Sequence, residues 1–237
     1  MDAIIARIRQ ELAGMADPEL ETSARRFFKE EIRCYGTKTA AVTALAKRYW
    51  AEVKGRDKAE IFALCEELYR SGMMEEAFIV STWAHLLKGR YEREDIAVFR
   101  HWIGTYITNW AACDGFCNHA VGDFIERFPE FVEELKAWTQ SENRWMRRAA
   151  AVSLIVPAKR GRFLPEVLGI ADLLLLDRDD MVQKGYGWLL KEASRKHQDE
   201  VFAYVMQHRD VMPRTALRYA IELMPPARRE MAMRRER

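Results

Sequence analysis

Residues 61–87, IFALCEELYRSGMMEEAFIVSTWAHLL, decide the fold class. Ile61, Leu64, Cys65 and Leu68 recur at the three- and four-residue spacing of one helix face. After the break at Ser71-Gly72, Phe78, Val80, Trp83, Leu86 and Leu87 take up helical spacing again. Working outward, Ile4, Ile5, Ile8 and Leu12 repeat the pattern, as do Val42, Leu45, Ala46 and Tyr49. No strand-like alternation of six or more residues occurs. Short breaks at Gly36-Thr37, Gly55-Arg56-Asp57, Lys88-Gly89-Arg90, Phe128-Pro129, Ser141-Glu142-Asn143, Lys159-Arg160-Gly161 and Asp177-Arg178-Asp179 separate the helices. Thr37, Asp57, Ser141 and Asp179 are of the residue types that cap helix N-termini.

The helices pair at intervals of roughly 35 to 45 residues, the period of two-helix solenoid repeats. The expected architecture is all-α: a superhelical solenoid of antiparallel helix pairs. Because the repeats share rhythm and no strong sequence signature, an irregular helical bundle stands as the alternative. No Pro-, Gly- or Ser-rich linker divides the chain, so residues 1–225 read as one domain followed by an Arg-rich tail, 226–237. That tail is either a solvated face or a disordered segment.

Composition agrees with helices. Of 237 residues 49% are apolar and 31% charged, with only 12 Gly and 7 Pro, so the chain can bury a core and still be charged outside. No apolar run approaches the roughly 20 residues of a membrane span. Met1-Asp2-Ala3-Ile4-Ile5 lacks the basic and apolar regions of a secretory signal. Cys34, Cys65, Cys113 and Cys117 form no CxxC pair and no disulfide framework, which suits a reducing cytoplasm.

Net charge is only +2 and announces no polyanion partner, but local charge is uneven. Between Ser141 and Leu164, Arg144, Arg147, Arg148, Lys159, Arg160 and Arg162 face a single acid, Glu142. Arg228, Arg229, Arg234, Arg235 and Arg237 form a second cluster in the tail.

Three segments could hold chemistry. In Asn109-Trp110-Ala111-Ala112-Cys113-Asp114, Trp110 and Asp114 are four apart and share a helix face. An indole face beside a carboxylate can hold a cation; equally, the pair fits a core Trp with a solvated or N-capping Asp. Cys113, Cys117 and His119 allow a metal reading, but zinc sites favour tighter loops and a second ligand pair, which is missing. Two buried helical thiols are the default. Arg144-Trp145-Met146-Arg147-Arg148 opens a helix. Arg147 and Arg148 point about 100° apart, and each suits either a phosphate or an ion pair with a neighbouring helix. In Gln183-Lys184-Gly185-Tyr186-Gly187-Trp188 two glycines sit inside a helix at roughly 1 kcal/mol each relative to Ala. Tight packing, or access to the Trp188 face, must offset that. No phosphate loop, GxGxxG, HExxH or GxSxG motif occurs.

Trp110-x-x-x-Asp114, Trp145-Met146-Arg147-Arg148-Ala149-Ala150 and Gln183-Lys184-x-x-Gly187-Trp188 together resemble the AlkD-type DNA alkylation-repair glycosylases. Ala24-Arg25-Arg26-Phe27-Phe28-Lys29 through Tyr35-Gly36-Thr37-Lys38-Thr39, and later Gly122-Asp123, fit the same family. The resemblance runs from roughly residue 20 to 222; each motif is short, and their order and spacing make the match specific. It implies a HEAT-like repeat fold and a monofunctional enzyme, needing no metal or cofactor, that excises cationic alkylated purines such as 3-methyladenine and 7-methylguanine. The implied partner is double-stranded DNA carrying alkylated bases. The implied protein is a monomer without membrane association, in the bacterial cytosol or nucleoid.

By that resemblance Trp110, Asp114 and Trp188 form the catalytic cluster and Arg148 contacts the DNA backbone beside the lesion. Arg147 is its neighbour without that assignment. Arg144, Lys159 and Arg160 supply the electrostatic cradle, and Arg147 and Lys184 fall within the wider DNA-binding set. The family engages the lesion from the backbone side without enclosing the base, which suits a sequence with no pocket motif. Two other classes of function remain open: a non-catalytic HEAT-like nucleic-acid-binding module and a protein-binding scaffold.

Overall fold

The structure, a computed structural model, describes residues 2–234. Among these no strand forms; the one extended pairing is an isolated parallel bridge between Arg33 and Met73. No helix is long and apolar enough to cross a membrane. The chain divides into two compact units, Met1–Phe116 and Cys117–Arg237.

The first unit comprises α1 (Ala3–Gly14), α2 (Pro18–Phe27), α3 (Thr39–Val53), α4 (Lys58–Tyr69), α5 (Met74–Leu86), α6 (Asp95–Tyr106) and α7 (Trp110–Phe116). α5 is its axis, touching α3, α4 and α7. Apolar residues surround α5, so Trp83 is fully buried and its Nε1 donates to the Ala46 carbonyl at 2.8 Å. Phe62, Phe99, Trp102 and Phe116 meet edge-on or tilted to fill the space beneath, the arrangement ring quadrupoles favour.

The second unit contains α8 (Gly122–Arg127), α9 (Val132–Trp138), α10 (Arg144–Val152), α11 (Ile155–Lys159), α12 (Leu164–Leu173), α13 (Asp180–Ala193), α14 (Gln198–His208), α15 (Arg214–Ala220) and α16 (Pro226–Met233). Its axis is α13, which touches α10, α11, α12 and α15. The expected Arg-rich tail is helical over Pro226–Met233, where Arg228 pairs with Asp199 and lies over the Phe202 ring. Arg235 and Arg237 lie outside the described residues.

Helix starts follow side-chain chemistry, with two corrections. Asp57 forms a reciprocal capping box with Glu60, and Asp179 caps α13 through Met181 N at 2.8 Å, as their residue types suggest. Thr37 does not cap α3: the N-cap position falls one residue later, on Lys38, which offers no side-chain cap, while the Thr37 amide is held by Glu75. Ser141 does not cap α10. Its Oγ accepts from the Asn143 amide at 3.2 Å, and Asn143 is the cap, accepting from Trp145 N at 2.8 Å.

Two glycines mark close approaches, and one residue holds an unusual backbone conformation. A Cβ at Gly187 would lie 2.8 Å from the Ala216 carbonyl oxygen, so Gly187 lets α13 and α15 touch backbone to backbone. A Cβ at Gly122 would sit 2.8 Å from Ser153 O. Gly122 follows a single π turn, Cys117–Val121, which the sequence did not signal. Phe163, at φ 61°, is the one described non-glycine in the left-handed region, a conformation that costs about 1–2 kcal/mol.

Candidate functional site

The first unit presents an aromatic and acidic surface. Asn109 is the buried N-cap of α7, its Oδ1 accepting from Ala112 N at 2.9 Å. Trp110 therefore occupies the first helical position, and Asp114 lies one turn further on the same face. The N-capping alternative for Asp114 falls, since Asn109 fills that role. Trp110 is not a core Trp either: it and Asp114 are both partly exposed. Its ring stacks on Phe28 at 5.2 Å with planes 16° apart, and Phe27 meets it edge-on at 6.0 Å. Phe27 is 70% exposed.

A chain of contacts sets this platform. Glu75, 1% exposed, accepts the backbone N–H groups of Tyr35, Gly36 and Thr37 at 2.9–3.1 Å. Glu76, fully buried, accepts from Arg9 Nη2 at 3.0 Å and from the Tyr35 hydroxyl at 2.9 Å. Burial, then the bond to Glu76, pushes the Tyr35 phenol above its ordinary pKa. The loop held this way turns at Gly36, φ 77°, where a Cβ would come within 2.2 Å of Asp17 O. Asp17 caps α2, and α2 ends at Phe27. Two buried acids thus anchor the loop beside the helix that delivers Phe27 and Phe28 to Trp110. Sequence reasoning named neither acid; the only signal was Glu75-Glu76 as an acidic pair in the first turn of an otherwise apolar helix.

In the second unit the three arginines of Arg144-Trp145-Met146-Arg147-Arg148 all reach the start of α13. Arg144 pairs with Asp179 at 3.3 Å and stacks over Trp145 at 4.5 Å. Arg147 Nε donates to Asp177 at 2.6 Å, and its Nη1 donates to the carbonyls of Ser141 and Glu142. Arg148 is 5% exposed and donates to the Met181 carbonyl. A Cβ at Gly185 would stand 3.4 Å from Arg148 Cγ, an ordinary contact, so the Arg148 stem packs against this glycine without requiring it. Of the two glycines inside α13, Gly187 is the one that tight packing requires. Trp188 is partly exposed on α13, one turn after Lys184, which pairs with Asp180 at 2.7 Å. Lys159 and Arg160 are exposed at the end of α11, and Arg160 pairs with Glu126. The basic cluster is therefore largely ion-paired.

Cys113 and Cys117 are buried and His119 is exposed. Among the described residues no three His, Cys, Asp or Glu side chains gather as metal ligands.

The chain is thus all-α, with an aromatic–carboxylate surface in its first unit and arginines bound at a helix start in its second. The model of the DNA alkylation repair enzyme family matches residues 8–224, and the chain belongs to that family. Its fold is similar to that of a predicted DNA alkylation repair enzyme from Enterococcus faecalis, at 17% identity and a TM-score of 0.80 over 90% of this chain and 98% of that one. It is less similar to smu.31 from Streptococcus mutans UA159: 21% identity and a TM-score of 0.53 over 69% and 86% of the two chains. No curated protein matches. The likeness establishes the fold as the all-α helix-pair solenoid that the spacing predicts. Family membership makes the chain an enzyme of alkylation DNA repair with DNA as its substrate.

Proposed function

We propose that the protein is a monofunctional DNA glycosylase that hydrolyses the N-glycosidic bond of cationic alkylated purines, 3-methyladenine and 7-methylguanine among them, in duplex DNA. The observation that carries this reading is the partly exposed Trp110–Asp114 pair, buttressed by Phe28 and set by the Asn109 cap.

The chemistry asks little of a protein. An alkylated purine already bears a positive charge and leaves readily. Departure builds oxocarbenium character on the deoxyribose. An ionised Asp114 stabilises that charge and orients a water toward the anomeric carbon. Trp110 and Trp188 contribute ring faces that attract the same charge. The partial exposure of Trp110 and Asp114 suits a reaction in which the base is not flipped into an enclosing pocket, as many other glycosylases require.

Arg148, Arg144, Lys159, Arg160 and Lys184 form the proposed phosphate-contact set, with Arg147 holding α10 in place behind them through Asp177. Arg148 serves as a fixed guanidinium edge, since its stem is packed against Gly185. The protein acts as a monomer in the bacterial cytosol or nucleoid. The test is release of 3-methyladenine and 7-methylguanine from methylated duplex DNA by the purified chain. Release above the spontaneous rate supports the reading; DNA binding without release replaces it with a non-catalytic module.

A further inference from the structure

The segment that joins α11 to α12, Arg160-Gly161-Arg162-Phe163, is held from several sides. Arg160 Nη1 donates to Glu126 Oε2 at 2.9 Å, and Arg162 Nη1 donates to Glu126 Oε1 at 3.0 Å. Glu126 is mostly buried, its side chain 15% exposed, whereas the two arginine side chains are 60% and 49% exposed. One carboxylate thus holds two guanidinium groups, one on each oxygen, and each guanidinium keeps further N–H donors.

The backbone beneath them is equally determined. Gly161 stands at φ 86° and Phe163 at φ 61°. The amide of Arg162 donates to Pro157 O at 3.1 Å, and His197 Nε2 lies 3.0 Å from Gly161 O. The Arg162 guanidinium lies over the Phe163 ring at 5.2 Å. A non-glycine residue kept in the left-handed region is a cost that persists where the surroundings over-determine it, often at functional sites. Lys159 is exposed immediately before the loop.

We propose that this loop is a two-phosphate clamp for one DNA strand, with Arg160 and Arg162 as its contacts and Glu126 as the positioning residue that fixes their separation. The proposal rests on the reading of this chain as a duplex-binding enzyme, and it adds Arg162 and Glu126 to that reading. A guanidinium matches the planar oxygen pair of a phosphodiester. Two of them on one anchor keep net positive charge after pairing, so the site favours an anion. Glu126 opposes the ligand's charge from within the roughly 8 Å Debye length, where salt screens little, but its single charge is outweighed by the two guanidinium groups it holds. The ordering of two long side chains is not screened, and Glu126 supplies it in advance.

The test is equilibrium binding of the full chain to an unmodified duplex across a salt series. Each phosphate contact contributes about 0.9 to the slope of log affinity against log salt. The Arg160→Ala, Arg162→Ala double variant is expected to lower the slope by about 1.8, and the corresponding double Lys variant to restore it. Glu126→Gln keeps both cations, so the slope should hold while affinity falls about fivefold through lost ordering. A purely structural staple predicts lower thermal stability in these variants with slope and affinity unchanged, and that result overturns the clamp. Because the readout is binding to undamaged DNA, failure of base release leaves the clamp standing. A parent chain with no salt-dependent duplex affinity overturns both.

Discussion

The Phe28 ring lies parallel to the Trp110 indole, 5.2 Å away and inclined by 16°. Phe28 is the first residue after α2, and Trp110 the first of α7, so two helix ends meet in one aromatic contact. Such a stack is worth about 0.5–1.5 kcal/mol beyond area burial. Phe28→Ala should therefore slow base release roughly three- to tenfold by loosening Trp110. Phe28→Leu, which fills space without a ring face, should recover stability and only part of the rate. Single-turnover release by the two variants checks this.

Gly187 and Gly185 separate two effects. Gly187→Ala gains about 1 kcal/mol of helix propensity but drives a Cβ to 2.8 Å from Ala216 O and Tyr219 Cβ. Backbone cannot yield cheaply, so a net loss of about 1–3 kcal/mol is expected in urea unfolding. Gly185→Ala meets Arg148 Cγ at 3.4 Å, a contact a side chain can relieve, and should be near neutral in stability. Its effect is expected on duplex affinity, through Arg148.

The buried Glu75 makes a test of the loop anchor. Glu75→Gln keeps a carbonyl oxygen where Oε1 accepts from Tyr35, Gly36 and Thr37, but removes the charge and turns an NH2 toward the Tyr35 amide that also donates to Oε2. The expected loss is about 1.5–3 kcal/mol of unfolding free energy. Glu142→Gln, on an exposed turn, is the matched control and should change nothing measurable.

Much of this was legible in the sequence. Ile61, Leu64, Cys65 and Leu68 are all buried on α4, because helical periodicity reports the buried face directly. The breaks at Gly36, Gly72 and Gly161 are turns with positive φ, as only glycine adopts readily. That Trp110 and Asp114 share one face of α7 followed from their spacing. What stayed hidden was long-range or depended on competing donors. Asn143 displaced Ser141 as a cap because Ser141 bonds to Asn143 itself. The pairing of Arg147 with Asp177 and of Arg160 with Glu126 joins residues far apart in sequence, which no local pattern encodes. The same charges that read as a basic cluster are therefore half-neutralised in the fold. The π turn at Cys117–Val121 carries no composition signal, and Gly122 beside it is its only trace.

The most direct measurement is base release from methylated duplex DNA by Asp114→Asn beside the unmodified chain. Removing the carboxylate leaves the Asn109 cap, and the residues that stack on Trp110, in place. The predicted result is loss of release by at least about 10²-fold, with duplex affinity unchanged within about a factor of three because no phosphate contact is removed. Release at the parent rate by Asp114→Asn would contradict the assignment of Asp114 as the catalytic carboxylate.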